Sequence, residues 1–164
     1  MSNVFDRILA QDCSLHCAVL DWNTEAAKTL LQEGSDVNAV DKGGRTAMHL
    51  IAAQRCDSPT CEEITDSLLR HGANVDAKDK LLEWTALGYA IKAEKWFVVE
   101  RLLEKKCKTA DLGLFRQRLD DESYKAKIID DIKDNKCTLL LRYLNQCQSK
   151  EKMGQLGKKR RLTS

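Results

Sequence analysis

Three residues near the start of the chain have the types and spacing that a metal site could use. Cys13, His16 and Cys17 lie within five residues, and thiolate and imidazole groups are common zinc ligands. A second pair, Cys56 and Cys61, bounds the segment CDSPTC at a spacing open to a metal or to a redox pair. No further pair at ligand spacing accompanies Cys56 and Cys61, so we interpret them as incidental thiols in a loop.

The motifs that usually carry catalysis are missing from the sequence. It contains no Gly-x-x-x-x-Gly-Lys-Ser/Thr phosphate loop, no His-Glu-x-x-His and no Gly-x-Ser-x-Gly. The acidic pairs Asp120-Asp121 and Asp130-Asp131 are immediate neighbours, which do not face each other on a helix and make a poor acid–base pair. We therefore predict a protein that is not an enzyme, with no cofactor, no bound metal and no small-molecule substrate.

The composition narrows the class of protein further. Aromatic residues make up 5% and charged residues 32% of the chain, which suits a surface-rich helical protein better than a deep cleft. The sequence contains no run of 18 apolar residues, so we predict no membrane span. The first residues, MSNVFDRILAQD, lack the basic and apolar regions of a signal peptide. We expect a cytoplasmic or nuclear protein, or both, whose seven cysteines are free thiols.

A repeated unit organises most of the chain. The segment Thr46-Ala47-Met48-His49 has counterparts at Cys13-Ser14-Leu15-His16 and Thr85-Ala86-Leu87-Gly88. A Leu-Leu pair follows each copy after 17, 22 and 17 residues, at Leu30-Leu31, Leu68-Leu69 and Leu102-Leu103. Because Cys13 and His16 occupy the positions of Thr46 and His49, we favour packing over metal binding for the first cluster.

Each unit predicts two short helices whose apolar stripes cannot be buried alone. Stacked neighbours bury them against each other, which gives a solenoid. Gly34 and Gly72 follow the second helix, where a left-handed residue ends it without cost to glycine. The middle unit has about five extra residues, and its Pro59 favours a loop over residues 54–61.

These units resemble the ankyrin-repeat family over about residues 12–108. The second copy carries the family's residues at matching positions: Asp41, Gly44, Thr46, His49, Leu68, Leu69, Gly72 and Ala73. The usual proline is replaced by Ser14, Ala47 and Ala86, Gly88 replaces the histidine, and Lys106 replaces the glycine. The resemblance implies an all-α solenoid with finger turns that binds proteins.

The remaining sequence predicts a cap and a tail. Apolar residues predict three helices in residues 109–147, a divergent fourth repeat with a capping helix: Leu112, Leu114, Phe115, Leu119; Tyr124, Ile128, Ile129, Ile132; Leu140, Leu141, Leu144. We assign residues 1–149 to one domain, with earlier repeats near 8–40, 41–78 and 79–108. Residues 150–164 hold six basic residues and one acidic, and we predict a disordered tail. For its residues Lys158, Lys159, Arg160 and Arg161, three interpretations stay open: a nuclear import signal, a weak nucleic-acid contact or a plain solvated run.

The predicted binding surface lies on the fingers. The third finger carries Leu81, Leu82 and Trp84, which we expect to anchor a partner, and Lys42 and Arg45 on the second finger would steer it. The alternative is that Leu82 and Trp84 fold back onto the stack. By the resemblance, the inner-face positions Leu20, Asp21, Gln54 and Lys92 are also available for contact.

The resemblance implies a protein partner and suggests its class. Small ankyrin proteins include regulators of cell-cycle kinases and of other kinase complexes, so we favour a kinase regulatory or adaptor subunit. A Rel-type transcription factor is the alternative partner. Nucleic-acid binding through the basic tail ranks lower, because residues 1–149 hold 21 basic and 24 acidic side chains.

Overall fold

The structure is a computed structural model, and it describes residues 14–54, 58–105, 122–134 and 137–143. Three helix pairs occupy the first two ranges: α1 (Ser14–Leu20) with α2 (Thr24–Gln32), α3 (Ala47–Ala53) with α4 (Pro59–Arg70), and α5 (Ala86–Lys92) with α6 (Trp96–Glu104). The prediction of an all-α fold is confirmed, because the described elements are helices joined by turns, with no strand among them.

The helix pairs stack in two layers. In the inner layer α1 packs on α3 and α3 on α5, while in the outer layer α2 packs on α4 and α4 on α6. The inner helices have seven residues each, too few to be stable alone in water. Burial between neighbours therefore holds them, and one apolar cluster runs through the stack from Leu15 to Leu140.

Two inner helices begin directly after a threonine. Thr46 and Thr85 are the N-caps of α3 and α5, and both have extended backbone angles. The helices begin at Ala47 and Ala86, where the family's usual proline is absent. At the other end of the repeat, Gly34 and Gly72 have φ angles of +89° and +82°, which confirms the predicted left-handed turns.

The prediction that residues 54–61 form a loop is wrong in its second half. Helix α4 begins at Pro59, so Pro59, Thr60 and Cys61 extend it to 12 residues, against nine in α2 and α6. Proline is well suited to the first helical position, because its fixed φ is helical and no hydrogen bond needs its missing N–H. Cys61 is buried in the outer layer, while Cys56 lies outside the described residues.

A C-terminal cap covers the third repeat. Helix α7 (Glu122–Asp134) confirms the second helix predicted after the repeats, and residues 138–143 are also helical. Ile128, Ile132, Cys137 and Leu140 are fully buried in the common core. The first predicted helix of the cap, at Leu112 to Leu119, and the basic tail lie outside the described residues.

None of the helices in the described ranges combines the length and apolar character needed to cross a bilayer.

Candidate protein-binding site

Asp41 and Arg45 close the second finger turn. The Arg45 backbone N–H donates to Asp41 Oδ1 at 2.8 Å, and its guanidinium Nε donates to Oδ2 at 2.9 Å. The Arg45 side chain is 11% exposed and Asp41 is buried. The predicted steering role of Arg45 therefore needs correction: its charge is held inside the turn by Asp41, and Lys42 is the exposed cation of this finger.

The second and third fingers are joined at their tips. The Lys80 N–H donates to the Gly43 carbonyl at 3.0 Å. The neighbouring Gly44 has a φ of +76°, and a Cβ placed there would lie 2.6 Å from Lys80 Cγ and 3.1 Å from Lys80 N. Glycine at this position thus permits both the left-handed backbone and the close approach of the next finger.

Asp79 organises the longer third finger. Its Oδ1 accepts from the Trp84 N–H at 2.8 Å, and its Oδ2 accepts from the N–H groups of Leu81 and Leu82 and from the Tyr89 hydroxyl. Burial alone would raise the pKa of the Asp79 carboxyl, but these four donors outweigh it and lower the pKa. The extra residue of this finger is accommodated by Glu83, which is left-handed with a φ of +54°.

Two buried histidines tie each repeat to the finger of the next one. His16 Nε2 lies 2.8 Å from the Arg45 carbonyl, and His49 Nε2 lies 3.2 Å from the equivalent Trp84 carbonyl. His49 Nδ1 accepts from the Thr46 N–H, so the proton of the neutral ring is on Nε2. His16 lies in this structural position, consistent with the packing interpretation of the first cluster. Its neighbour Cys17 is half-buried, and Cys13 lies outside the described residues.

The apolar residues of the third finger differ in exposure. Leu81 is 68% exposed and Leu82 is 48% exposed. Trp84 is half-buried, with its ring edge-on to Tyr89 at 5.7 Å and the Lys92 ammonium 5.2 Å from its centroid. Trp84 therefore packs back onto the stack, whereas Leu82 does not. Leu81 and Leu82 remain the accessible apolar residues of the finger.

The four residues predicted on the inner face also differ in exposure. Leu20 is 2% exposed at the end of α1 and belongs to the core, so it cannot contact a partner in this structure. Asp21 and Lys92 are exposed, and Gln54 is partly exposed at the end of α3. Sequence reasoning missed the exposed Lys78 and Lys80, whose signal was their position on either side of Asp79, the counterpart of Asp41.

We call the surface formed by these accessible residues the finger edge: Lys42, Lys78, Lys80, Leu81, Leu82, Glu83, Lys92 and the exposed part of Trp84. Its residues lie on the two linked finger turns, apart from Lys92, which is the last residue of α5. Within the described ranges, no group of three His, Cys, Asp or Glu side chains is placed to hold a metal ion.

Comparison with known proteins agrees with this architecture. Residues 15–115 match the family model described as ankyrin repeats in three copies. A 53-residue part of the chain is 42% identical to Protein fem-1 homolog CG6966 of Drosophila melanogaster, over 32% of this chain and 7% of that protein. The chain thus spans well under a tenth of that relative's length. The repeated helix pairs, the histidine links and the family match together show that the chain belongs to the ankyrin-repeat family, whose repeats form a protein–protein interaction module.

Proposed function

We propose that the chain is a non-catalytic adaptor that binds its protein partner along the finger edge. The observation that carries this proposal is the exposure of Leu81 and Leu82 at the tip of a turn, where polar residues are the norm. Exposed apolar side chains grouped on one surface are typical of contact sites. The finger is also pre-organised, because Asp79 fixes the backbone of both leucines, so little ordering is needed on binding.

The proposal is tested with the intact protein and paired variants. Affinity purification followed by mass spectrometry identifies the partners of the unmodified chain. Leu81→Ser with Leu82→Ser should abolish capture, because exposed side chains at the centre of an interface contribute most of its energy. Glu62→Ser, an exposed change on α4, is the control and should retain capture. Equal capture by both variants would place the interface elsewhere.

Trp84 gives a second test, with a stability control built into it. If the exposed side of the ring is an anchor, Trp84→Ala should weaken binding by about 2 kcal/mol. The ring also packs on Tyr89, so the melting temperature is measured beside the affinity. Lys42→Ala should cost less, and its effect should shrink at high salt, because Lys42 is an exposed charge. A folded Trp84→Ala protein with full affinity would assign this ring to the core alone.

For the partner class, we propose a protein kinase complex, with this chain as regulatory or adaptor subunit. A Rel-type transcription factor is the second candidate. The support is the family resemblance. Co-purification of a kinase subunit that is lost in the Leu81→Ser, Leu82→Ser variant would support the first class. Consistent recovery of transcription factors without kinases would reject it.

We also propose a cytoplasmic and nuclear distribution, with Lys158 to Arg161 as the import signal. The support is the composition of residues 150–164, where basic residues outnumber acidic ones six to one. Replacing the four basic residues by alanine should shift a fluorescent fusion toward the cytoplasm. An unchanged distribution would leave these residues as a solvated basic run.

A further inference from the structure

Exposed charge on the finger edge is mostly positive. Four lysines are exposed there, against one exposed acidic residue, Glu83; the lysines are Lys42, Lys78, Lys80 and Lys92. The aspartates of both fingers are turned inward, with Asp41 4% and Asp79 2% exposed. The exposed charges of the finger edge are therefore mainly ammonium groups, and the two finger carboxylates accept hydrogen bonds within their own turns.

The outer helices carry the opposite charge. Helices α2, α4 and α6 together hold six acidic and three basic side chains. Two of the three basic groups are paired with acidic neighbours: Lys28 with Glu63 at 2.9 Å and Arg101 with Asp66 at 3.1 Å. The outer layer is thus net acidic, in contrast to the basic finger edge.

Two exposed leucines lie within this basic surface. Lys80 directly precedes Leu81 and Leu82, and the Lys80 N–H bond to Gly43 brings Lys42 next to the same tip. Both leucine N–H groups donate to Asp79, so the side chains project from a fixed turn. The site combines an apolar centre with a basic rim, a layout in which the rim supplies orientation and the centre supplies affinity.

We propose that the finger edge binds an acidic protein segment in which carboxylates flank apolar anchor residues. This inference rests on the proposed function and adds the chemistry of the partner. Carboxylates complement the lysines, and apolar side chains cover Leu81 and Leu82. The phosphates of a nucleic acid would pair with the lysines, but both leucines would stay exposed to water. The Trp84 ring contacts Tyr89 and Lys92, which leaves less of its surface for a base to stack on.

Synthetic probes test the chemistry directly. The full-length protein is titrated against four labelled ligands: a peptide of alternating Glu and Leu, the same peptide with Lys for Glu, the same with Ser for Leu, and a single-stranded oligonucleotide. Fluorescence anisotropy should show the Glu–Leu peptide binding at least about tenfold more tightly than the other three. Its affinity should fall between about 0.05 M and 0.5 M salt, because exposed charges are screened.

Charge-reversal variants locate the site. The double variant Lys42→Glu, Lys80→Glu should bind the Glu–Leu peptide about tenfold less tightly, or weaker still. Lys105→Glu, an exposed change of the same kind after α6, should leave its affinity unchanged. The basic residues 158–161 would also attract an acidic peptide, so a chain with these four replaced by alanine is measured as well. A loss confined to that chain, or tighter binding of the Lys–Leu peptide or the oligonucleotide, would overturn the inference.

The same variants separate this inference from the proposed function. If the natural partner is lost with Leu81→Ser, Leu82→Ser but kept with Lys42→Glu, Lys80→Glu, the finger edge is the binding site and the acidic partner is rejected. If both variants keep the partner, the finger edge itself is rejected. Loss with both, together with the peptide preference, supports the two proposals.

Discussion

His49 shows how one side chain can connect two turns. Its Nδ1 accepts from the Thr46 N–H at the start of α3, and its Nε2 donates to the Trp84 carbonyl of the next finger. Only the neutral ring can do both, because protonated imidazole has no acceptor. Burial, opposed by the hydrogen bonds and nearby aspartates, lowers the pKa of His49, and the same holds for His16.

These lowered pKa values make the stability of the fold depend on pH. The unfolded chain takes up protons on both histidines below about pH 6.5, while the folded chain resists them, so acid favours unfolding. The contribution of the two histidines to the free energy of unfolding should be fully present above about pH 7. It should decrease as the pH drops below 6.5, by at most about 1.4 kcal/mol per pH unit for each histidine. Urea unfolding at pH 7.5, 6.5 and 5.5 measures this slope.

The control for this prediction is a pair of histidine variants. His49→Gln should unfold more easily at every pH but show a shallower pH slope, because one titrating group is gone. His71→Gln, at the exposed end of α4, controls for composition. A slope in His49→Gln equal to that of the unmodified protein would show that His49 does not cause the acid sensitivity.

Two glycines with similar backbone angles allow strain and crowding to be separated. Gly44 and Gly34 have φ angles of +76° and +89°, but an added Cβ meets Lys80 only at Gly44, and nothing within 4 Å at Gly34. We expect Gly34→Ala to cost about 1 kcal/mol from the left-handed backbone alone. Gly44→Ala should cost more, and adding Lys80→Ala should recover part of the difference, because Lys80 Cγ is the closest atom.

Denaturant unfolding of the four proteins measures these costs. Equal destabilisation by Gly34→Ala and Gly44→Ala would mean that the second and third fingers separate readily, and that the Lys80 to Gly43 hydrogen bond adds little.

At the scale of elements, hydrogen bonds join the C-terminal cap to α6. The Glu100 carboxylate accepts from the Leu139 N–H at 3.0 Å and from the Thr138 hydroxyl at 3.0 Å, so a residue of α6 caps the helical segment 138–143. The Cys137 thiol donates to the Trp96 carbonyl at 3.1 Å. Burial and the nearby Glu100 raise the pKa of Cys137 to about 12, so the thiol stays protonated.

Removal of this capping carboxylate should loosen the cap. Glu100→Ala should cost about 1 kcal/mol, the usual value of a helix N-cap, and should speed both amide exchange at Leu139 and maleimide labelling of Cys137. Glu104→Ala, an exposed change on the same helix, is the control. Unchanged exchange and labelling in Glu100→Ala would show that apolar packing of Ile128, Ile132 and Leu140 holds the cap without Glu100.

The whole molecule should fold without its last 15 residues. Residues 150–164 are rich in lysine and glycine and poor in apolar side chains, so they offer little surface to bury. A chain ending at residue 149 should melt within about 2 °C of the full chain, since surface changes rarely alter stability by more than about 0.5 kcal/mol. A decrease of several degrees would mean that the tail packs on the body.

Repeat spacing, helix content, the left-handed glycines and helix α7 all follow from the sequence, because each depends on local pattern: apolar periodicity, Leu-Leu pairs and glycine after a helix. The boundary at Pro59 was missed because proline is compatible with both a loop and the first turn of a helix. Its position there depends on how far α4 can extend along its neighbours.

The candidate site was decided mainly by tertiary structure. The sequence placed Leu81, Leu82 and Trp84 on one finger, but only the packing of Trp84 against Tyr89 and Lys92 distinguishes it from the two exposed leucines. The roles predicted for Leu20 and Arg45 are corrected for the same reason. Leu20 is buried among stacked helices, and the guanidinium of Arg45 is held by Asp41. Exposure and pairing are set by neighbours that the chain brings together only on folding, so they cannot be read from local spacing.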